Sequence, residues 1–510
     1  MDKLRMKTLD AAEGNVAKIA ALFPQCVTER LGKDGTAELA IDFDKLRDEL
    51  SKDLLDGAEE RYQFTWPDKR AASRLANEST DKTLRPDLDA SVDFWNTENL
   101  YIEGDNLDVL KVLRENYLGA IKMIYIDPPY NTGNDFVYND DFAQSREDFE
   151  ATSGAFDEDG NQIIDPMQRN TESNGRFHTD WLNMIYPRLK VARDLLSDNG
   201  VVFISIDDCE VENLRKVCDE IFGEHNFLAQ LTWEKKYTIA NDAKYFSSTH
   251  DFILCYAKNI DNFVIGKLPR TDEMNAAYKN PDNHPKGPWK ATPLHARSGS
   301  NADFTYTFKN GVVFTPPSGR FSAYSADKLK ELDENNEIWF GKDGMSTPSR
   351  KTFLCELKND GVVPRTIIPF SEGGHNHEAD EEVKSLMGGK LFTSPKPTKL
   401  LNLLLRIANC DEDSIILDFF SGSATTAHAV MKLNAEDGGK RKFIMVQLPE
   451  VTDEKSEARK AGYETICQIG EERIRRAGKK VKEEAGLNGQ DLDTGFRVLK
   501  LDSSNMEDVF

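Results

Sequence analysis

Four consecutive residues, Asp127-Pro128-Pro129-Tyr130, hold the densest chemistry in this sequence. The two prolines fix φ twice and donate no N–H, so the chain is stiff there and its carbonyls are left to accept hydrogen bonds from another partner. Asp127 adds a carboxylate acceptor, and Tyr130 adds a flat ring. Two acceptors beside a stacking face suit a planar group that carries an –NH2, such as the exocyclic amine of a base. The same residues also suit a plain strand end closed by a Pro-Pro turn with a capping Asp, because so short a motif does not decide alone. The element that must position them is legible. Ile121-Lys-Met-Ile-Tyr-Ile126 is apolar except for Lys122 and stops at Asp127. That pattern predicts a buried parallel strand delivering a loop to its carboxyl edge.

A second candidate loop lies far downstream. Ser414-Ile-Ile-Leu-Asp418 reads as a strand, Phe419-Phe420-Ser421-Gly422-Ser423-Ala424-Thr425-Thr426 as a turn of small residues, and a helix follows from Ala427. Small residues at such a turn let backbone N–H groups and the helix N-terminus approach an anionic or carboxylate-bearing ligand. Lys442–Gln447 is the next strand, and Glu450 just beyond it has the position of a ribose-binding acid in nucleotide folds.

Between and around these loops, strands and helices alternate. Asn99–Asp105 (strand), Asn106–Tyr117 (helix) and Ile121–Ile126 (strand) make a β-α-β unit. A helix from Thr179 stopping at Asn199-Gly200, a strand Val201–Ile206, a helix to Phe222 and a strand His250–Tyr256 follow. This alternation predicts a doubly wound α/β domain. Residues 132–160 are acidic and aperiodic, suiting either a lid over the site or a solvated insertion. From 259 to 390 short aromatic segments are punctuated by Pro, Gly, Asn and Ser, an inserted loop-rich α+β domain. The expected division is a helical N-terminal region over 1–95, with Asp42–Leu55 the clearest helix. Core halves over 96–258 and 391–453, the insertion over 259–390 and a C-terminal helix and tail over 454–510 complete it.

The remaining composition sets limits. At 510 residues the chain has room for two or three domains, and its 30% charged residues are ordinary for a globular protein. No run of 18 apolar residues and no apolar leader occurs, so no membrane partner is expected and the cytoplasm is. Seven scattered cysteines without a C-x-x-C pair fit reduced thiols, and no metal site is expected. His375-Asn-His377 lacks a third ligand and reads as a polar turn. There is no G-x-x-x-x-G-K-[ST] pattern and hence no P-loop. A net charge of −23 sits badly with nucleic-acid binding, yet 231–300 carries ten Lys/Arg against seven acids. A duplex-binding path would gather there, with Lys235, Lys236, Lys244, Lys286, Lys290 and Arg297 as candidates.

Taken together, the amine-cradling loop, the insertion and the small-residue loop, in that order, resemble the amino-group DNA methyltransferases of the β class. In that family Asp-Pro-Pro-Tyr precedes the S-adenosylmethionine loop, and a target-recognition domain lies between. The family's second loop is Phe-x-Gly-x-Gly; here Ala424 stands for the last glycine, which is tolerable only if the position needs no positive φ. The phrases Tyr101–Leu110, Asp180–Leu189 and Gly495–Ser504 look like modification subunits of type III restriction-modification systems, and the resemblance runs from about residue 95 to the end.

The resemblance implies an S-adenosylmethionine-dependent methyltransferase fold, a doubly wound and mostly parallel seven-stranded sheet, acting on a flipped-out base in double-stranded DNA. It assigns catalysis to Asp127, Pro128, Pro129 and Tyr130. It places the cofactor against Asp105, Asn106, Lys396, Pro397 and Asp418 to Thr426, with Gln447 and Glu450 toward the ribose. Asp rather than Ser at 127 implies adenine N6. A homodimer, a separate restriction (helicase-nuclease) subunit and a bacterial or archaeal cell are implied as well. An enzyme working without a restriction subunit, a cytosine-N4 or RNA methyltransferase, a non-catalytic DNA-binding subunit and a nicotinamide dehydrogenase are the alternatives. The last leaves Asp127–Tyr130 unexplained, and a non-catalytic subunit has no use for Asp127.

Overall fold

The structure, a computed structural model, describes residues 11–22, 26–31, 37–43, 46, 64–133, 136–138, 167–169, 175–240, 243–299, 303–357, 361–489 and 491–503. Most of the expected Asp42–Leu55 helix and of the acidic 132–160 stretch lies outside them. Two compact units emerge, Met1–Gly266 with Arg365–Phe510, and Lys267–Pro364.

The first unit is built on one ten-stranded sheet. Its strands, numbered in chain order, are β1 (Lys82–Val92), β2 (Leu100–Glu103), β3 (Ile121–Ile126), β4 (Leu196–Ile206), β5 (Phe227–Glu234), β6 (His250–Ala257), β7 (Ile367–Ile368), β8 (Ile415–Asp418), β9 (Lys442–Gln447) and β10 (Phe496–Ser503). Their spatial order is β7-β5-β6-β4-β3-β8-β9-β2-β10-β1. The run from β4 to β10 is parallel throughout, while β6 is antiparallel to both neighbours and β1 to β10. Seven strands, β5 to β2 in that order, are the expected sheet. β7 extends one edge, and β10 with β1 extends the other.

Helices of this unit include α1 (Asn106–Tyr117), α2 (Phe177–Leu195), α3 (Asn376–Met387), α4 (Thr398–Ile407), α5 (Thr425–Asp437) and α6 (Ile466–Ala485), and the expected helix toward Phe222 is present as Val211–Cys218, buried against the same core. From β3 the chain crosses through α2 to β4 on one side. From β8 it crosses through α5 to β9 on the other. Two parallel crossovers leaving in opposite directions along the sheet make the β3/β8 boundary a topological switch point, where α/β sheets open a crevice. β3 is buried along its whole length. Even its polar break is accommodated, because Lys122 lays its stem inside and donates from Nζ to the Asn199 carbonyl at 2.6 Å.

Several elements differ from expectation. The 1–95 region contains helices Ala11–Leu22 and Lys69–Leu75 but also the hairpin Val27–Leu31/Ala37–Ile41 and the eleven-residue β1. β1 has no buried residue, because it covers the sheet edge as an antiparallel partner of β10. The helix expected to run to Asn199 ends at Leu195, and β4 begins at once. Gly200 lies inside that strand, where a Cβ would meet the Ser197 carbonyl at 2.9 Å, so the glycine answers a close backbone approach, not a helix stop. Residues 365–390, expected in the insertion, fold with the first unit: β7 pairs with β5, and α3 packs on α6.

The second unit is α+β. It has a three-stranded antiparallel sheet (Trp289–Pro293, Ser349–Phe353, Ile338–Trp339) and a helix Ala326–Glu334. Its own core is Leu294, Phe308, Phe314, Leu329, Leu332 and Ile338.

Candidate active site

The Asp127 loop leaves β3 at the switch point and is held from below. The buried Trp181 of α2 donates its indole N–H to the Pro129 carbonyl at 2.7 Å. Asn131 takes the left-handed conformation at φ 61°. Its side chain donates to the buried carboxylate of Glu210 at 2.6 Å, which also meets His178 Nδ1 at 2.6 Å and Asn213 at 2.8 Å. With Pro129 engaged, the Pro128 carbonyl is left without a hydrogen bond among the described residues.

Asp127 splits its two oxygens. Oδ2 accepts from Lys396 Nζ at 2.6 Å, whereas Oδ1 is buried and makes no well-formed hydrogen bond among the described residues. The same Lys396 ammonium stands 5.1 Å from the centroid of the Tyr130 ring. The Tyr130 hydroxyl is also buried and stands beside Asp127, and burial first, then the Asp127 carboxylate, push its pKa well up. An N–H donor thus already occupies the acceptor-and-ring pocket, with the second carboxylate oxygen and the Tyr130 hydroxyl beside it.

The neighbouring loop after β8 is tied by its own side chains. Asp418 is buried, accepting from Thr426 Oγ1 at 2.6 Å and from Phe420 N–H at 3.2 Å. Burial outweighs those donors and raises its pKa to about 7. Gly422 N–H donates to Gln447 Oε1 at 2.8 Å, and Gln447 Nε2 reaches Glu450 at 3.1 Å. Arg473, fully buried on α6, donates to Ser423 Oγ at 2.8 Å and Thr425 Oγ1 at 2.7 Å. Ala424 is left-handed at φ 58°, so the replacement of glycine falls where a positive φ is needed, contrary to the condition set by the sequence.

Asp105 caps α1 through Leu107 and Asp108 N–H, and pairs with the buried Arg188 at 3.0 Å. Asn106, expected to meet the cofactor, is fully buried and donates instead to the Phe419 carbonyl at 3.0 Å. Its side chain joins the two loop bases. Pro397 begins α4 as its N-cap residue and lies against Gly374, where a Cβ would come within 3.0 Å of it. Ser421 Oγ is buried in the neighbouring loop, beside the Tyr101 hydroxyl. Oxygen acceptors, a backbone turn at Gly422 and an acid at Glu450 fit a ligand with amine, carboxylate and ribose groups, as S-adenosylmethionine has.

Of the six basic candidates for a DNA path, Lys235 is paired with buried Asp251, and Lys286 bridges Glu337 and Glu356 at 2.6 and 2.5 Å. Lys236, Lys244, Lys290 and Arg297 are exposed. His375 caps α3, its Nδ1 accepting from Glu378 N–H at 3.1 Å. A cleft of about 1550 Å³ in the first unit, lined among others by Trp66, Lys69, Tyr186 and Arg215, contains none of the loop residues. Chemistry, not volume, locates the site.

Trp181, Arg188, Glu210 and Arg473 were not singled out from the sequence. A signal existed for Arg473, because it shares the helical stripe of Ile466, Ile469, Ile474 and Ala477, a buried face on which an arginine must have acceptors. Glu210 had none, since its partners come from three separate segments.

The model for the N6/N4 family of DNA methylases matches residues 121–473. The StyLTI Mod subunit of a type III restriction-modification enzyme from Salmonella typhimurium is 36% identical over 492 residues, covering 94% of this chain and 73% of that protein. The EcoPI Mod subunit of Escherichia phage P1 is 34% identical, covering 91% and 74%. The type II methyltransferase M.KpnI of Klebsiella pneumoniae is 28% identical, covering 73% and 86%. With a family model spanning both loops and relatives this similar over nearly its whole length, the chain belongs to the DNA methylases, among the modification subunits of type III restriction-modification enzymes.

Proposed function

We propose that this chain methylates the N6 amine of a flipped-out adenine within a specific DNA sequence, with S-adenosylmethionine as donor. We further propose that it acts as a homodimer joined by a separate restriction subunit, on the DNA of the bacterial or archaeal cytoplasm. The observation that carries the reading is the Asp127 pocket: an N–H donor on Oδ2 close to the Tyr130 ring, beside a second carboxylate oxygen and a Pro128 carbonyl that no hydrogen bond among the described residues engages. Lys396 there stands in for the substrate amine.

A conjugated amine is a poor nucleophile because its lone pair is delocalised into the ring. Hydrogen bonds from its two N–H groups to Asp127 and to the Pro128 carbonyl favour a pyramidal nitrogen with its lone pair turned outward. Tyr130 stacks on the base, which must leave the duplex for its amine to be reached. S-adenosylmethionine, held by the Asp418–Thr426 turn, Gln447 and Glu450, supplies an electrophilic methyl group. The rigid loop supplies position and fixed dipoles, the larger part of the acceleration in such a displacement. The new N–C bond forms as the sulfonium S–CH3 bond breaks, its electron pair staying on the thioether sulfur, and the cationic methylated amine then gives one proton to water, so no residue needs to act as a strong base.

The direct test is sequencing DNA from cells expressing the chain, with modified bases read in context. N6-methyladenine at one recurring sequence, absent with Asp127→Ala, is the expected result. N4-methylcytosine, or modification that survives Asp127→Ala, overturns the assignment.

A further inference from the structure

Between β5 and β6 the chain turns through residues 235–249, and strand register fixes where that turn lies. His250 is opposite Glu234, Phe252 opposite Ile206, and Ile204 opposite Ile126 at the end of β3. The turn therefore leaves the sheet at the same carboxyl edge as Asp127. Its root is fixed in place. Lys235 pairs with Asp251, the Asn376 N–H donates to the Lys235 carbonyl at 2.9 Å, and the Tyr237 ring sits 4.8 Å from His375. Burial raises the Asp251 pKa and Lys235 lowers it, with Lys396 and Asp127 acting next, so the root borders the amine pocket electrostatically.

Beyond the root the described residues of the turn are mostly bare. Ile239, Tyr245 and Phe246 are 76, 80 and 96% exposed. Lys236 and Lys244 are exposed with them, and the Lys244 ammonium lies 5.0 Å from the Tyr245 ring centroid. In sequence the turn holds three lysines against one aspartate, within a chain of net charge −23. Large apolar side chains gathered in water mark a binding surface. Aromatic rings interleaved with lysines suit base faces and phosphates. A flipped nucleotide stays tethered to its strand, so the gap it leaves lies within a nucleotide's reach of Asp127, and an element at that edge can reach it.

We infer that the described residues of this turn, 235–240 and 243–249, enter the duplex at the target base: Tyr245 and Phe246 occupy the gap left by base flipping, and Lys236 and Lys244 hold the adjoining phosphates. Wedges of this kind offset lost stacking when a duplex is opened. The inference rests on the DNA-methylation reading above and adds the element that keeps the base out.

The test uses the full-length chain, saturating S-adenosylmethionine and the recognition sequence found in the genomic experiment. Two duplexes are compared, one with the target base paired and one with it opposite an abasic site, where pairing is already broken. Tyr245→Ala/Phe246→Ala should slow single-turnover methylation of the paired duplex about five- to hundredfold, the scale of one base–aromatic stack. On the abasic duplex it should come within about threefold of wild type, and Phe246→Trp should retain the paired-duplex rate. Unchanged rates on the paired duplex overturn the inference. So does an equal loss on both duplexes, which means phosphate docking alone, or a loss that accompanies a changed mass by light scattering, which means an interface between copies. A wild-type chain that methylates neither duplex overturns the parent reading itself, a result distinct from these.

Discussion

Asp127 and Asp418 close neighbouring strands, and their packing separates their chemistry. Asp127 holds a cation on one oxygen and stands beside the Tyr130 hydroxyl. Asp418 is buried, with only a hydroxyl and an amide donating to it, so its pKa rises to about 7. The sign for stability follows. The folded state binds the Asp418 proton more tightly than the unfolded chain, where the value is 3.8. Its contribution is therefore fully present below that value and is lost as pH rises through about 7. One such proton gives a slope near 1.4 kcal/mol per pH unit at most. In urea titrations between pH 4 and 7, the stability of Asp418→Asn relative to wild type should rise with pH. Glu471, raised to about 8 by burial beside Glu103, leaves a residual slope in both. Parallel profiles for the two proteins would remove Asp418 as the titrating group.

At the scale of elements, α2 is the support of the catalytic loop. Trp181→Phe keeps most of the buried volume but removes the indole N–H that holds Pro129. A net hydrogen bond is worth about 0.5–1.5 kcal/mol, so methylation turnover should fall up to about tenfold. Cofactor affinity, measured by equilibrium binding, should stay within about twofold, because the Asp418–Thr426 loop is tied separately by Arg473 and Gln447. A matching loss of cofactor binding would mean the loops are not independent. Ala424 gives a converse case. Its left-handed backbone costs an L-residue about 1–2 kcal/mol, against about 0.5–1 kcal/mol of extra chain entropy for glycine. Ala424→Gly should hold or raise the denaturation midpoint, by up to about 1 kcal/mol with m unchanged. A lower midpoint would show that the buried Ala424 methyl contributes more than its backbone loses.

Over the whole molecule, charge is judged by which lysines are already paired. Each phosphate neutralised contributes about −0.9 to the slope of log K against log salt. Lys236→Ala/Lys244→Ala should therefore make that slope shallower by up to about two units and weaken all duplexes alike. Lys235→Ala/Lys286→Ala should leave it unchanged, since both ammonium groups already serve carboxylates within the protein. Titration at several salt concentrations separates the pairs; a shallower slope for the second pair would reverse the assignment. Light scattering at micromolar concentration should give a dimer, and an active monomer would contradict that proposal. Among the described residues no helix is long and apolar enough to cross a membrane.

The sequence by itself determined the parts that local chemistry dictates. A run of six buried residues ending in Asp-Pro-Pro-Tyr can be little other than a core strand delivering a stiff loop, and β3 has those bounds. The strand, turn and helix around Asp418 were legible for the same reason, because hydrophobic period and small residues act over a few positions. Only the tertiary structure decided how those parts are wired. Lys396 lies 269 positions from Asp127 and is its ion-pair partner, and Asn106 meets a carbonyl 313 positions away. β1 looked like part of a helical region because an edge strand draws its pattern from its neighbour rather than from a core of its own. The backbone sign at Ala424 was hidden too, since alanine does not announce a left-handed turn as glycine does. Motifs are written in neighbouring residues, whereas burial and pairing are fixed by strand order, and strand order is a property of the whole chain.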